Sequence, residues 1–302
     1  MAEILTKAGC FIAIILLGVV LRRIGFFKEA DFRVLSQITL KITLPAAIVV
    51  SFSQMDMDVS MLTIALLGLG CGVMYIIVAL LMNLKTDGKR RAFEVLNLPG
   101  YNIGLFAMPF VGGFLGPVGG VATSLFDTGN AFVCLGGSFG VASSINDGSG
   151  FSVKRIGKAL LTSVPFLTYI IMITLNLTGI HLPAPVLTLA DTIRGANTFM
   201  AMLMLGVGFK LEANRSQILQ IVKLVLVRYV FAAIFACVFY FVLPFSLEIR
   251  QTLVLLTFSP IGAAVPAFTA EIKGDFGLSS AVNSVCIVCS IVFMTTLMLV
   301  ML

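Results

Sequence analysis

Apolar stretches of about twenty residues, each long enough to cross the hydrocarbon core of a bilayer as a helix, recur ten times along the 302-residue chain. Bounded by charges and by Gly and Pro, they run over 6–22, 32–53, 61–84, 92–115, 118–142, 158–178, 185–208, 217–243, 249–271 and 278–301. Only 11% of the residues are charged, against the roughly 25% that a water-soluble domain needs to cover its surface. The pattern predicts an all-α integral membrane protein with ten transmembrane helices, in which lipid is the solvent for most side chains.

The few charges are placed unevenly. Fourteen of the 20 basic residues fall in alternate connections: Arg22, Arg23, Lys28 and Arg33; Lys85, Lys89, Arg90 and Arg91; Lys154, Arg155 and Lys158; Lys210 and Arg215; and Lys273. The opposite set holds only Lys7 and Arg250, while Lys41, Arg194, Lys223 and Arg228 lie within spans. The positive-inside rule then puts both termini outside the plasma or inner membrane of the cell. Basic clusters of this kind orient a membrane protein, so the net charge of +6 does not point to nucleic acid. The six cysteines sit almost entirely in apolar runs, where Cys286 and Cys289 read as packing residues, and the single His181 makes no metal centre. No cofactor is expected.

Two halves of the chain resemble each other. The stretch from Leu21 to Ala47 lies on Leu175 to Ala201 at an offset of 154, matching Leu21, Gly25, Leu35 and Ala47 to Leu175, Gly179, Leu189 and Ala201. Met108-Pro109-Phe110 in span four matches Val265-Pro266-Ala267 in span nine at an offset of 157, and Pro99 and Pro260 precede them. Five spans separate the copies, an odd number, so the second half is expected upside down relative to the first. The expected organisation is a five-helix repeat over 1–142, a short cytoplasmic linker over 143–157, and an inverted five-helix repeat over 158–302.

Proline and glycine break spans four and nine at matching places. Broken helices are tolerated in a membrane only where protein or a water-filled cavity surrounds them, and their positive N-terminal ends attract anions. The pair points to a small anionic substrate, held around Tyr101, Asn102, Gly104 and Pro109 of span four and Gly262 and Pro266 of span nine. The amide of Asn102 is suited to donate to a carboxylate and to cap the half-helix, two compatible roles. Asp127 is the acid set deepest in an apolar span, on one helical face with Asn130, and Asn283 follows Asn130 at an offset of 153. Asp127 binds a proton or cation that drives transport, or pairs with a neighbouring helix.

The run LPGYNIGLFAMPF (Leu98 to Phe110), the Leu-Pro of KITLPAAIV (Lys41 to Val49), MAMLMLGVGFKL (Met200 to Leu211) and PAFTAE (Pro266 to Glu271) together resemble the auxin efflux carrier family. That family includes plant PIN auxin carriers and bacterial permeases for malate and related organic acids. The resemblance implies a scaffold of spans one, two, six and seven, and a transport domain of spans three to five and eight to ten. It further implies elevator-like alternating access around the crossing of spans four and nine. It makes Asn102 the substrate-facing asparagine and Lys41 a vestibule lysine that attracts the anion, with Arg194 near the matching place in the other repeat. Lys41 alternatively snorkels to the interface. Span three (61–84) carries no acidic residue to pair with Lys41, unlike the PIN pattern, and the link after span five is short.

The function expected is secondary transport of a small carboxylate, malate-like or auxin-like, with the lipid bilayer and a second copy of the chain as partners. A sodium-coupled carrier like the bile acid symporters and an anion channel are the alternatives. A membrane enzyme is disfavoured, because no DDxxD, HExxH or serine paired with histidine is present. Asn176-Leu177-Thr178 is a formal glycosylation sequon on the outer side.

Overall fold

A computed structural model describes residues 2–28, 30–112, 114–147, 152–211 and 214–301, and the described residues are helical throughout their ordered elements. Part of the expected linker, 148–151, lies outside the described residues. Five helices are long and apolar enough to cross a membrane: α1 (Ala2–Arg23), α2 (Asp31–Ser53), α3 (Val59–Met82), Gln217–Phe241 and Phe276–Met301. A sixth is formed if α8 (Val153–Thr162) and α9 (Val164–Leu177), bent by 77° at Ser163, are taken as one. The protein is a multi-pass, all-helical membrane protein.

The remaining apolar stretches are each divided into shorter helices. The fourth becomes α4 (Gly88–Asn97) and α5 (103–111), separated by the non-helical residues 98–102. The fifth becomes α6 (Pro117–Phe132) and α7 (Ser138–Asp147), joined by a wide π-helical turn over Val133–Gly137. The seventh becomes α10 (Ala184–Arg194) and α11 (Asn197–Gly208), after which α12 spans Arg215–Phe241. The ninth becomes α13 (Leu247–Thr257) and α14 (Val265–Glu271), separated by residues 258–264, and α15 (Phe276–Met301) ends the described chain.

The breaks follow from local chemistry. A proline has no N–H and clashes with the carbonyl four residues back, so the helix ahead of it widens or stops. Accordingly a π turn over Thr39–Thr43 leads into Pro45 within α2, and another over Ile103–Ala107 leads into Pro109. Pro165 together with the Ser163 hydroxyl, which accepts from the Phe166 amide, starts α9 at its bend. Asp87 caps α4, and an Asn214–Gln217 capping box starts α12.

Side-chain ties hold the short helices in place. Glu94 of α4 is fully buried and accepts from Asn83 Nδ2 (2.7 Å) and from Lys223 Nζ of α12 (2.9 Å), which fastens α4 to both neighbours. Asn97 at the end of α4 donates to Thr269 of α14 (3.1 Å) and accepts from Ser279 of α15. Asn176 corrects the sequon reading: its Nδ2 donates to the carbonyls of Phe52 (2.9 Å) and Met55 (2.8 Å), and its Oδ1 accepts from the Met57 amide (2.7 Å). Its amide fastens residues 52–57 to α9 in the folded protein.

With no hydrophobic drive between helices in lipid, close approach depends on small residues. Gly206 of α11 faces α1 so closely that a Cβ there would lie 2.0 Å from the Ile15 carbonyl oxygen. Gly206→Val therefore forces α1 and α11 apart and is expected to cost about 1–3 kcal/mol, seen as a lowered unfolding temperature in detergent. Gly9→Val on α1, where a Cβ meets nothing within 4 Å, serves as the control and leaves that temperature within error of the parent.

Candidate functional site

The two broken segments meet. The Asn102 backbone amide donates to the Pro260 carbonyl (2.8 Å), so the non-helical residues between α4 and α5 touch those between α13 and α14. Each break strands carbonyl groups at a helix C-terminus, and a buried unpaired carbonyl is costly away from water. One side chain satisfies both sets. Arg228 of α12, 1% exposed, donates from Nη1 to the Leu98 carbonyl (2.6 Å) and from Nη2 to those of Gly100 (2.9 Å) and Ser259 (2.8 Å). Its guanidinium lies against the rings of Tyr75 (5.4 Å to the centroid) and Tyr101 (5.0 Å). Tyr75 in turn donates its hydroxyl to the Arg228 carbonyl (2.7 Å).

The rest of the first break is paired by Asn130 of α6. Its Oδ1 accepts from the Tyr101 amide (2.9 Å) and its Nδ2 donates to the Tyr101 carbonyl (2.8 Å), which reproduces the pairing of a missing strand. Gly100 turns the chain at a φ of +77°, a conformation a side chain resists. Asp127, one turn before Asn130, accepts from Asn130 Nδ2 (2.8 Å) at one oxygen and from the Tyr169 hydroxyl of α9 (2.8 Å) at the other. Gly104 passes close to this carboxylate: a Cβ there would stand 3.3 Å from Asp127 Oδ2. Asp127 is therefore joined to a neighbouring helix by a tyrosine hydroxyl.

Asn102 has two faces. Its backbone carbonyl accepts from the Ala107 amide (3.1 Å), but its side chain makes no cap, and its Nδ2 is buried without a hydrogen-bond partner. The capping role is thus absent, and a buried donor stands ready next to the crossing. The Tyr101 ring is directed into the core, edge-on to Tyr75 (5.9 Å) and Phe126 (5.5 Å). Gly262 sits in the second break, where a Cβ would lie 3.7 Å from Cys134 Sγ.

Two cavities flank the crossing. The first, about 460 Å³, is lined by Pro109 of α5, by Ser51 and Gln54 of α2, and by Lys7, Arg194 and Asn197 among others. The second, about 190 Å³, is lined by Pro266 of α14, by Asn283 and Ser284 of α15, and by Arg22 and Lys210. Lys7 and Arg22 stand at opposite ends of α1, and Gln54 and Phe32 at opposite ends of α2, so the cavities open at opposite ends of these helices. Asn283 Oδ1 is buried without a partner beside the second cavity.

The residues singled out in the sequence therefore fall into groups. Tyr101, Asn102, Gly104, Asp127, Asn130 and Gly262 gather at the crossing, Pro109 and Arg194 at the first cavity, and Pro266 and Asn283 at the second. Arg194 is ion-paired with Asp191 (2.6 Å) at the end of α10. Lys41 stands apart: it is exposed on the π turn of α2 and lines neither cavity. The central residue, Arg228, was given no role from the sequence, although a lone cation inside LVLVRYVFAAIF is the kind of intramembrane charge that marks a site. Comparison of the chain with known protein families and with curated proteins finds no match.

Asn130→Ala leaves the Tyr101 N–H unpaired and its C=O with only the weak Cys134 thiol donor (3.6 Å), and a buried group left so costs about 1–3 kcal/mol. The expected result is a clear drop in thermal stability in detergent, with Asn130→Gln recovering less than half of it because the longer side chain cannot meet both groups at once.

Proposed function

We propose that the chain is a secondary transporter that carries a small organic anion, a carboxylate of the malate or auxin type, by alternating access, in the manner of the auxin efflux carriers it resembles. The observation that carries this reading is the crossing of two proline-broken helices, with the unpartnered Asn102 amide beside it and a basic cavity at each end. In a membrane, broken backbone at such a crossing is the usual setting for a substrate held between half-helices. In this account Asn102 donates to the carboxylate. Lys7 and Arg194 raise the anion's local concentration in the first cavity, and Arg22 and Lys210 do so in the second. Lys41 has no part in it.

An inverted repeat of five plus five spans, 1–142 and 158–302, accounts for further contacts. In such a repeat, residues on the symmetry axis touch their own counterparts. Thr43 donates to Asn197 Oδ1 (2.8 Å) across an interval of 154 residues, and Tyr75 to the Arg228 carbonyl across 153. Those intervals match the sequence offsets of 153 to 157, and Pro109 and Pro266, 157 apart, each line one cavity.

The moving unit would contain α3 to α7 and α12 to α15, sliding against α1, α2 and α8 to α11. Few polar contacts would then have to break. Among them is the hydrogen bond from Tyr169 of α9 to Asp127 of α6, which makes Asp127, with Asn130 and Asn283 nearby in the respective repeats, the group through which a proton would couple to movement. The positive-inside pattern orients both termini outward in the plasma or inner membrane.

Uptake of radiolabelled malate into proteoliposomes, with and without an inward proton gradient, tests this directly. The expected outcome is saturable uptake that the gradient accelerates and that Asn102→Ala lowers at least tenfold with normal folding. Absence of uptake and of competition across a panel of aliphatic and aromatic carboxylates would contradict it. Arg194→Gln is expected to raise KM severalfold with little change in the maximal rate, an effect that shrinks as salt screens the cavity.

A further inference from the structure

The surroundings of Arg228 are those of a cation site that already holds its cation. Three backbone carbonyls, from Leu98, Gly100 and Ser259, converge on one guanidinium at 2.6–2.9 Å. They come from the two breaks, one to three residues beyond the C-terminal ends of α4 (Asn97) and α13 (Thr257), and the helix dipoles place negative charge at those ends. Tyr75 and Tyr101 add the faces of two aromatic rings. Among the described residues no ion pair joins a carboxylate to this guanidinium, and Asp127 is held instead by Asn130 and Tyr169. The charge is therefore balanced by oriented carbonyl dipoles, as an alkali ion is when unwound backbone and half-helix ends coordinate it in a membrane.

We propose that Arg228 is a tethered substitute for a small monovalent cation. Its guanidinium occupies a carbonyl cage at the crossing, so that the two broken helices are held together without any inorganic ion, and removal of the side chain turns the cage into a site for free guanidinium or an alkali cation. The proposal does not depend on which solute the protein carries, or on whether it carries one.

The geometry favours a resident cation over a hydrogen-bond clamp that happens to be charged. Nε of Arg228 has no partner, so the side chain is engaged through its terminal nitrogens alone, the part that a free guanidinium ion reproduces. Four methylene and amine positions link that head to α12, and truncation to alanine would open a buried space next to the carbonyls.

The test is thermal unfolding in detergent of the parent, Arg228→Ala, Arg228→Lys and Arg228→Met, titrated at constant chloride with guanidinium, sodium, potassium or tetramethylammonium. Arg228→Ala is expected to unfold at a lower temperature than the parent and to be restored by millimolar guanidinium in a saturating manner, as binding to the folded state requires. Tetramethylammonium, too large and without N–H donors, does not restore it. The parent gains nothing from guanidinium, sodium or potassium at the same concentrations. A folded Arg228→Ala that no small cation stabilises would overturn the proposal, as would a parent that sodium stabilises as much as it does the alanine variant. Should Arg228→Ala fail to fold, the other two variants decide. Arg228→Lys, which keeps the charge, is expected to be the more stable, and an Arg228→Met protein equal to it or better would show that the cage needs no cation.

Discussion

One buried guanidinium carries the architecture at the centre of this protein. Breaking two helices within an apolar core strands carbonyls that water cannot reach, and each costs about 1–3 kcal/mol against a net stability of only about 5–15 kcal/mol. Arg228 pairs with carbonyls from both breaks at once, and the Asn102 to Pro260 hydrogen bond closes the gap between them. The crossing is therefore one polar unit with a shared counterion, and helices α4, α5, α13 and α14 can be short because they are anchored there. The surrounding ties, Glu94 to Lys223 and Asn97 to Thr269 and Ser279, extend the same logic outward from the ends of α4.

That arrangement leaves two kinds of polar group beside the crossing. Groups that the fold consumes, such as both ends of the Asn130 amide, fix the backbone and have nothing left for a ligand. Groups that the fold leaves over, among them the Asn102 side-chain nitrogen and the Asn283 carbonyl oxygen, are buried without a protein partner, and Asn283 lines the second cavity. The distinction gives the carrier reading its chemical content: a rigid frame of satisfied backbone, and a few donors and acceptors kept open within it. The cavities at opposite ends of α1 are unequal in size, at about 460 and 190 Å³, and in the carrier reading they are the two routes of approach.

Much of this was legible in the sequence because it is written in residue types with strong local effects. Pro99, Pro109, Pro260 and Pro266 announced both breaks, and glycine at position 100 suits the positive φ found there. Apolar length announced the long helices α1, α2, α3, α12 and α15. What the sequence obscured depends on partners distant in the chain. Arg228 is recognisable as an anomaly in an apolar run, but its partners lie 128 to 130 residues earlier and 31 later. Asn176 satisfies a sequon pattern, yet its amide is consumed by carbonyls more than 100 residues away. Lys41, a vestibule lysine by family resemblance or else a snorkelling one, is exposed on the π turn of α2 and lines neither cavity.

The central claim is that the crossing serves a carrier which exposes one site to each side in turn, and counterflow tests it most directly. Proteoliposomes preloaded with an unlabelled carboxylate that the protein accepts are diluted into a trace of the labelled compound. The account predicts transient accumulation of label above equilibrium, driven by the outward gradient and saturable in the internal concentration. A flux that rises linearly with concentration and shows no acceleration by internal substrate would contradict it, and would make the two cavities the mouths of a pore.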